Sequence, residues 1–445
     1  MAGGTWLSQN KVRPGAYINF KAVPKSAMTV GDRGVVAIPL SLNWGATGSL
    51  IEVLSSDLLD GNSQKLVGFT AFDTDSKLLA GALSYCYKAL VYRLNAGGVK
   101  ASVTVGDITA TAKYFGTFGN NITIVISQDS VTELWTFLTY VNGAQVDKQV
   151  ISQESELESN DYVDFTVEAE GELTETAGSA LTGGTNGSIS EATAYPAFLN
   201  LLAMARWQTV ACLSQTSTYQ ASVKTFIQTM REDEGRYVQG VVADYDADYE
   251  GIINSISGAV INGVTFSKYD FVAIVAGMTA GTNFNESNTA RKIEGATQIV
   301  GELTDSQIKT ALSEGKFLLS TSAKGEIKVE QDINSLHTYT KDKNYAFSKN
   351  RVIRTLDEIG TTTKITWEDT YEGKVDNTDT GRDLFKADLV QYGNEVERLN
   401  GIKDFDGVAD ISVRQGTDID AVLVDWNVRP VDSMEKLYMT VYVNS

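Results

Sequence analysis

The stretch GGTNGSISEATAYPAFLNLLAMARWQTVACL (183–213), followed by YVQGVVAD (237–244), decides the fold, because it changes from a helical to a strand-like apolar rhythm and back. Ser188 and Glu191 are spaced as a capping box ahead of a helix, and Pro196 is tolerable only near that helix's first turn. TVACL is then a short apolar strand. YQASVKTFIQTMREDEG places Val223, Phe226, Ile227 and Met230 on one helical stripe. YVQGVVAD and FVAIVAGM (271–278) are continuous apolar runs, the pattern of parallel strands covered on both faces. TARKIEGA and DSQIKTALSEG read as further helices, FLLST and EIKVE as strands. The spacing predicts an α/β fold, a helix-flanked and mostly parallel sheet over 183–335.

Working outward, 28–96 supplies the first part of the same core. VVAIPLSL is a buried strand, DTDSKLLAGALSYCYKAL a helix capped near Asp73 or Asp75, and VYRLNAGG a strand leaving it. Between them and the re-entry lies 97–182, where short alternating segments predict an inserted β-sandwich-like module. Asn142-Gly143 supplies the positive φ angles of a tight hairpin turn. The run from Glu154 to Glu175 contains no Lys or Arg and reads as a solvated face; the glycines of LTGGTNGS read as a hinge. Residues 336–430 hold two helical stretches, the second stopping at Gly401, and the strands VADISVRQG and AVLVDWNVRP. Two outlying segments complete the chain. GAYINFKAV, within 1–27, lies between Pro14-Gly15 and Pro24 and reads as an extended arm. In 431–445, Leu437, Met439, Val441 and Val443 alternate with Tyr438, Thr440 and Tyr442, a two-faced strand whose partner must be earlier in the chain or in another chain.

At 445 residues the chain allows several domains, and 42% hydrophobic with 21% charged residues excludes bulk disorder. A net charge of −19 opposes nucleic acid or an anionic membrane as partner of the whole surface. The longest apolar run is too short to span a bilayer, and the first residues lack a signal-peptide pattern, so assembly in the cytoplasm is expected. Cys86 and Cys212, without CxxC spacing, read as buried thiols. The single histidine, His337, stands outside any HExxH or GxSxG pattern, and neither GxGxxG nor GK[ST] occurs. Asp244, Asp246 and Asp248 resemble half an EF-hand loop whose Gly251 and Ser255 do not fit. The expectation is no enzyme, no metal and no cofactor. A hydrolase using His337 and an adhesin built on the β module are the alternatives. One electrostatic feature remains: Lys341, Lys343, Lys349, Arg351 and Arg354 form a locally basic stretch suited to an acidic partner.

RPGAYINF, LTGGTNGSISEATAYPAFLNLL and VDWNVRPVDSMEKLYMTVYV, in that order, resemble contractile phage tail sheath proteins, above all those of Gram-positive myophages, defective prophages and R-type bacteriocins. The likeness covers essentially the whole chain. It implies a non-catalytic subtilisin-like core, and subunits that assemble as stacked hexameric rings around a tail tube and contract to drive it through a cell envelope. Partners would be copies of the chain, the tail tube protein, and baseplate and terminator proteins, in a virion or bacteriocin particle. It also implies arm strands that join neighbouring subunits, here carried by Tyr17, Ile18, Phe20, Val23, Leu437, Tyr438, Met439, Val441, Tyr442 and Val443. Pro14, Gly15, Pro24 and Pro430 would be the arm hinges. A tube-facing helix would include Lys349, Arg351 and Arg354.

Overall fold

The computed structural model describes residues 2–4, 15–17, 33–167 and 172–443, which divide into two compact bodies. The larger, 31–361 with 430–445, is organised by a seven-stranded sheet. Its strands are β1 (Val35–Leu40), β2 (Leu50–Leu54), β3 (Lys88–Arg93), β4 (Thr209–Ala211), β5 (Gln239–Ala243), β6 (Ile252–Ser255) and β7 (Lys316–Phe317). They lie in the order β7-β6-β5-β4-β1-β3-β2, all parallel except the edge strand β2. Every residue of β1 is buried. Because side chains alternate across a strand, Val36, Ile38 and Leu40 enter one core with helices α1 (Lys77–Leu83) and α4 (Lys268–Gly281), while Val35 and Ala37 enter a second with α2 (Glu191–Met204) and α3 (Ser217–Gln228). The helix-flanked, mostly parallel sheet expected from the sequence is present.

Several local expectations are corrected. FVAIVAGM is the middle of α4, apolar on every side because every side is buried. Its start is marked by Ser267 and Asp270, whose side chains each accept the other's backbone amide at 3.2 and 3.1 Å. TARKIEGA forms turns around an isolated bridge at Lys292. Helix α2 begins after Ser190, because Ser188 and Ile189 pair with Ala96 and Asn95. Pro196 sits past the first turn on an exposed face. LTGGTNGS is pinned where a hinge was expected: Thr182 and Thr185 exchange backbone hydrogen bonds with Ser102 and Val99, and Asn120 brackets Gly184. Asn400, at φ 59°, takes the left-handed position expected of Gly401.

The inserted module is two antiparallel sheets, of four and three strands, around one apolar core. Its hairpin turn is Asn142-Gly143, with φ of 51° and 79°. Trp44, from the loop after β1, is fully buried in that core, 5.2 Å from Tyr114 and 5.1 Å from Phe118 between ring centroids. Its indole nitrogen donates to the Lys65 carbonyl at 3.0 Å.

The smaller body, 1–30 with 362–429, packs helix α6 (Asp379–Arg398) against a hairpin of Ile411–Gln415 and Val422–Trp426. Phe385, Leu389, Tyr392 and Val396 form the buried face of α6. In the same body Gly15–Tyr17 pairs in parallel with Ala2–Gly4.

Helices α1 and α4 meet at backbone distance. A Cβ on Gly277 would lie 2.2 Å from the Ala82 carbonyl oxygen, an atom that cannot rotate away. Gly277→Ala is expected to destabilise the isolated subunit by about 1–3 kcal/mol through overpacking, read as a lower denaturation midpoint.

Candidate functional site

Lys349 immediately precedes helix α5 (Asn350–Thr366) and is held by an antiparallel bridge to Ile333. Its side chain is 5% exposed, yet it carries a charge. The partner is Glu435, 9% exposed, with Asp432 3.8 Å from the same ammonium. Glu435 also accepts from Thr289 Oγ1 at 2.7 Å and from Gln331 Nε2 at 2.6 Å. Thr289 Oγ1 in turn accepts from the Asp332 amide at 2.9 Å. Asp332 is itself buried and receives Arg354 at 2.6 Å, the Asn288 amide at 2.9 Å and Asn350 at 2.9 Å. The 430–436 segment is thus seated, chiefly by Glu435, on a continuous polar network that ends in α5.

Burial opposes both charges of the pair. It lowers the Lys349 ammonium, but the hydrogen bond and charge of Glu435 outweigh it and hold the pKa above the ordinary lysine value. Burial raises Glu435, but the hydrogen bonds from Lys349, Gln331 and Thr289 outweigh it and hold the carboxyl below its ordinary value. Asp332 is lowered in the same way: Arg354 and the amide of Asn288 overcome its burial.

Beyond Glu435 the surroundings reverse. Leu437, Tyr438, Met439, Val441, Tyr442 and Val443 are all exposed, from 69% at Val441 to 90% at Val443, and among the described residues 431–443 carry no strand pairing. Pro430 is half-buried. Of the first arm, Gly15 and Tyr17 lie in the short parallel pair, while Pro14, Ile18, Phe20, Val23 and Pro24 fall outside the described residues.

The expected basic face around Lys349 is corrected. Lys349 and Arg354 are buried in ion pairs, Arg351 is partly buried, and Lys343 pairs with Glu250 at 2.5 Å. Their acidic partners, Glu435, Asp332 and Glu250, come from remote sequence, so a local count of charge saw only one side of each pair. Glu435 was missed, although a signal existed: it continues the face of Leu437, Met439, Val441 and Val443, where a carboxylate is out of place.

The other candidate groups are scattered. Asp244 pairs with Lys268 at 2.6 Å, and Asp248 accepts the amides of His337 and Thr338 at 2.9 and 3.0 Å. The His337 ring is 3.3 Å from Asp248 and 3.1 Å from the Ser335 carbonyl. Cys86 and Cys212 are buried, and burial pushes both thiols up to about 12. Among the described residues no helix is long and apolar enough to cross a membrane, and no three His, Cys, Asp or Glu gather as metal ligands.

Residues 96–186 match the family model of the phage tail sheath protein beta-sandwich domain, 188–335 that of the central domain, and 342–444 that of the phage tail sheath C-terminal domain. The phage-like element PBSX protein XkdK of Bacillus subtilis (strain 168) is 33% identical over 472 residues, covering 100% of each chain. The sheath tail protein of Desulfitobacterium hafniense is 38% identical with a TM-score of 0.83, over 96% of this chain and 99% of that one. The anti-feeding prophage helical sheath in its contracted state shares the fold at 10% identity, with a TM-score of 0.58 over 97% of this chain and 99% of that one.

The pair makes the seating of 430–436 depend on pH. Glu435, lowered on folding, contributes fully above the ordinary glutamate value of about 4.3 and loses its contribution as pH falls below it; Lys349, raised, contributes fully below about 10.4 and loses it as pH rises through its folded value. Acidification from neutral pH to below that glutamate range is therefore expected to raise the mobility of 430–436, read from a nitroxide label on Met434→Cys, before the β1 core opens. In Glu435→Gln the raised mobility is expected already at neutral pH. Unchanged mobility in both cases would show that the pair does not seat the segment.

Proposed function

Because the chain belongs to the phage tail sheath protein family, we propose that this structural protein polymerises as stacked hexameric rings around a tail tube and contracts from a metastable extended state to drive the tube through a cell envelope. The observation that carries this reading is the 437–443 segment. It alternates like a strand, leaves its large apolar side chains in solvent and pairs with nothing described in its own chain.

Seven residues of strand span roughly 23 Å. Added to the sheet of a neighbouring copy, the segment gains main-chain hydrogen bonds, and its alternating side chains set the register. The two-stranded hairpin of 411–426 is a suitable acceptor. Among the described residues neither of its outer edges pairs with another strand, and Leu423 and Val424 are exposed on it. Such a contact joins unlike surfaces, so it propagates into rings or helices where a like-with-like contact would close a dimer. Gly15–Val23 is the second arm, and Pro14, Gly15, Pro24 and Pro430 are where the arms bend.

Contraction then needs two packings of nearly rigid subunits with the arms kept in place, the extended packing held by a kinetic barrier. Energy stored during assembly suffices, which agrees with a sequence that carries no phosphate-binding loop motif. The partners are copies of the chain, the tube protein, and baseplate and terminator proteins, in a virion or bacteriocin particle assembled in the cytoplasm.

Deletion of 437–445 retains Glu435 and its partners. The truncated chain is expected to remain a folded, soluble subunit and to form no striated tubes in negative-stain micrographs. Normal tubes from this truncation would remove the arm reading.

A further inference from the structure

We infer that Glu435 is a plug that sets the working length of the C-terminal arm, by fixing the point at which the chain leaves its own subunit. The inference rests on reading 437–443 as an intersubunit strand and adds what determines where that strand begins.

The seating centres on one side chain, with Asp432 a more distant second charge 3.8 Å from the same ammonium. The Glu435 side chain, 9% exposed, is held between Lys349, Gln331 and Thr289, while Met434 on one side and Leu437 two residues on are exposed. Nothing else in 434–443 is sunk into the body comparably. With the plug seated, eight residues separate Glu435 from Val443, a reach of roughly 26 Å at about 3.3 Å per residue. With it out, the free chain starts near Pro430, and thirteen residues reach roughly 43 Å. Tether length of this kind sets the effective concentration of a strand at its acceptor, which falls as the tether outgrows its span.

The chemistry of the plug explains why it is a carboxylate. The face it shares carries Leu437, Met439, Val441 and Val443, four apolar side chains at two-residue spacing. An apolar socket would accept any of them, and each slip by two residues would move the arm by roughly 7 Å. From 430 to 443 the only acids are Asp432 and Glu435, and only Glu435 lies on the face of Leu437. A socket built of an ammonium, an amide and a hydroxyl selects it and rejects every slipped register, since a slipped arm would leave Lys349 buried without its partner.

Two variants of the full chain test this: Glu435→Ala, which removes the plug, and insertion of Gly-Ser-Gly between Lys436 and Leu437, which keeps the plug and lengthens the arm by roughly 10 Å. In the unassembled subunit, the rate at which an amine-reactive reagent modifies the Lys349 ammonium, 5% exposed beneath Glu435, is expected to rise about tenfold or more in Glu435→Ala and to be unchanged in the insertion variant. In polymerised samples, both variants are expected to lose the sharp layer lines that wild-type tubes give in electron micrographs. Wild-type layer lines from Glu435→Ala, with the 437–445 deletion still unable to form tubes, would overturn the plug and leave the arm standing. Wild-type layer lines from the insertion variant alone would show that length is not what Glu435 controls, and would overturn it equally. Tubes from the deletion would instead strike at the underlying arm reading.

Discussion

A charge taken out of water must find its counter-charge in the same place, and that requirement ties this subunit together where apolar contact does not. Lys349 meets Glu435, Arg354 meets Asp332, and Arg231 grips Asp357 with two hydrogen bonds of 2.9 and 2.6 Å. The pairs tie α5 and the residue before it to segments 86, 22 and 126 residues away in sequence. Such pairs add less net stability than their geometry suggests, because desolvation offsets much of the attraction. They add definition: removing one partner strands the other, so each pair holds one arrangement against its alternatives. The 430–436 segment and helix α5 are fixed by one network.

The α/β core was legible because its strands are short apolar runs bounded by helices with clear periods. The run at Val35 and the run at Gln239 both became central strands. The run at Phe271 did not, since a helix buried on all sides has the same composition as a strand buried on both faces. Only the capping pair Ser267 and Asp270 distinguished it. Errors at Ser188 and at the glycines of 183–187 have a different cause. Those residues are occupied by long-range pairing within the chain to 95–102, a partnership between segments some ninety residues apart. Local propensity contains no trace of it.

The site divides along the same line. The alternation after Lys436 is a local pattern and could be read directly, as could the absence of any enzyme signature. The role of Lys349 and Arg354 could not, because a cation's meaning depends on whether an acid stands opposite, and Glu435 and Asp332 are supplied by tertiary structure. Glu435 itself was visible as the one carboxylate in an apolar register. A polar residue on an apolar stripe marks either a flaw or a specific partner, and here the partner was the cation assigned to a different surface.

The indole of Trp44 makes the inserted module less separable than its place in the chain suggests. The module enters near 96 and leaves near 188, yet its core is completed by a residue some fifty positions before the entry. A recombination event that exchanged this module between relatives at those boundaries would carry away the aromatic socket of Tyr114, Phe118 and Tyr162 while leaving the tryptophan behind. Inheritance of the insert is therefore conditional on the loop that fills it, and chimaeras that respect both pieces are the ones whose grafts stay folded.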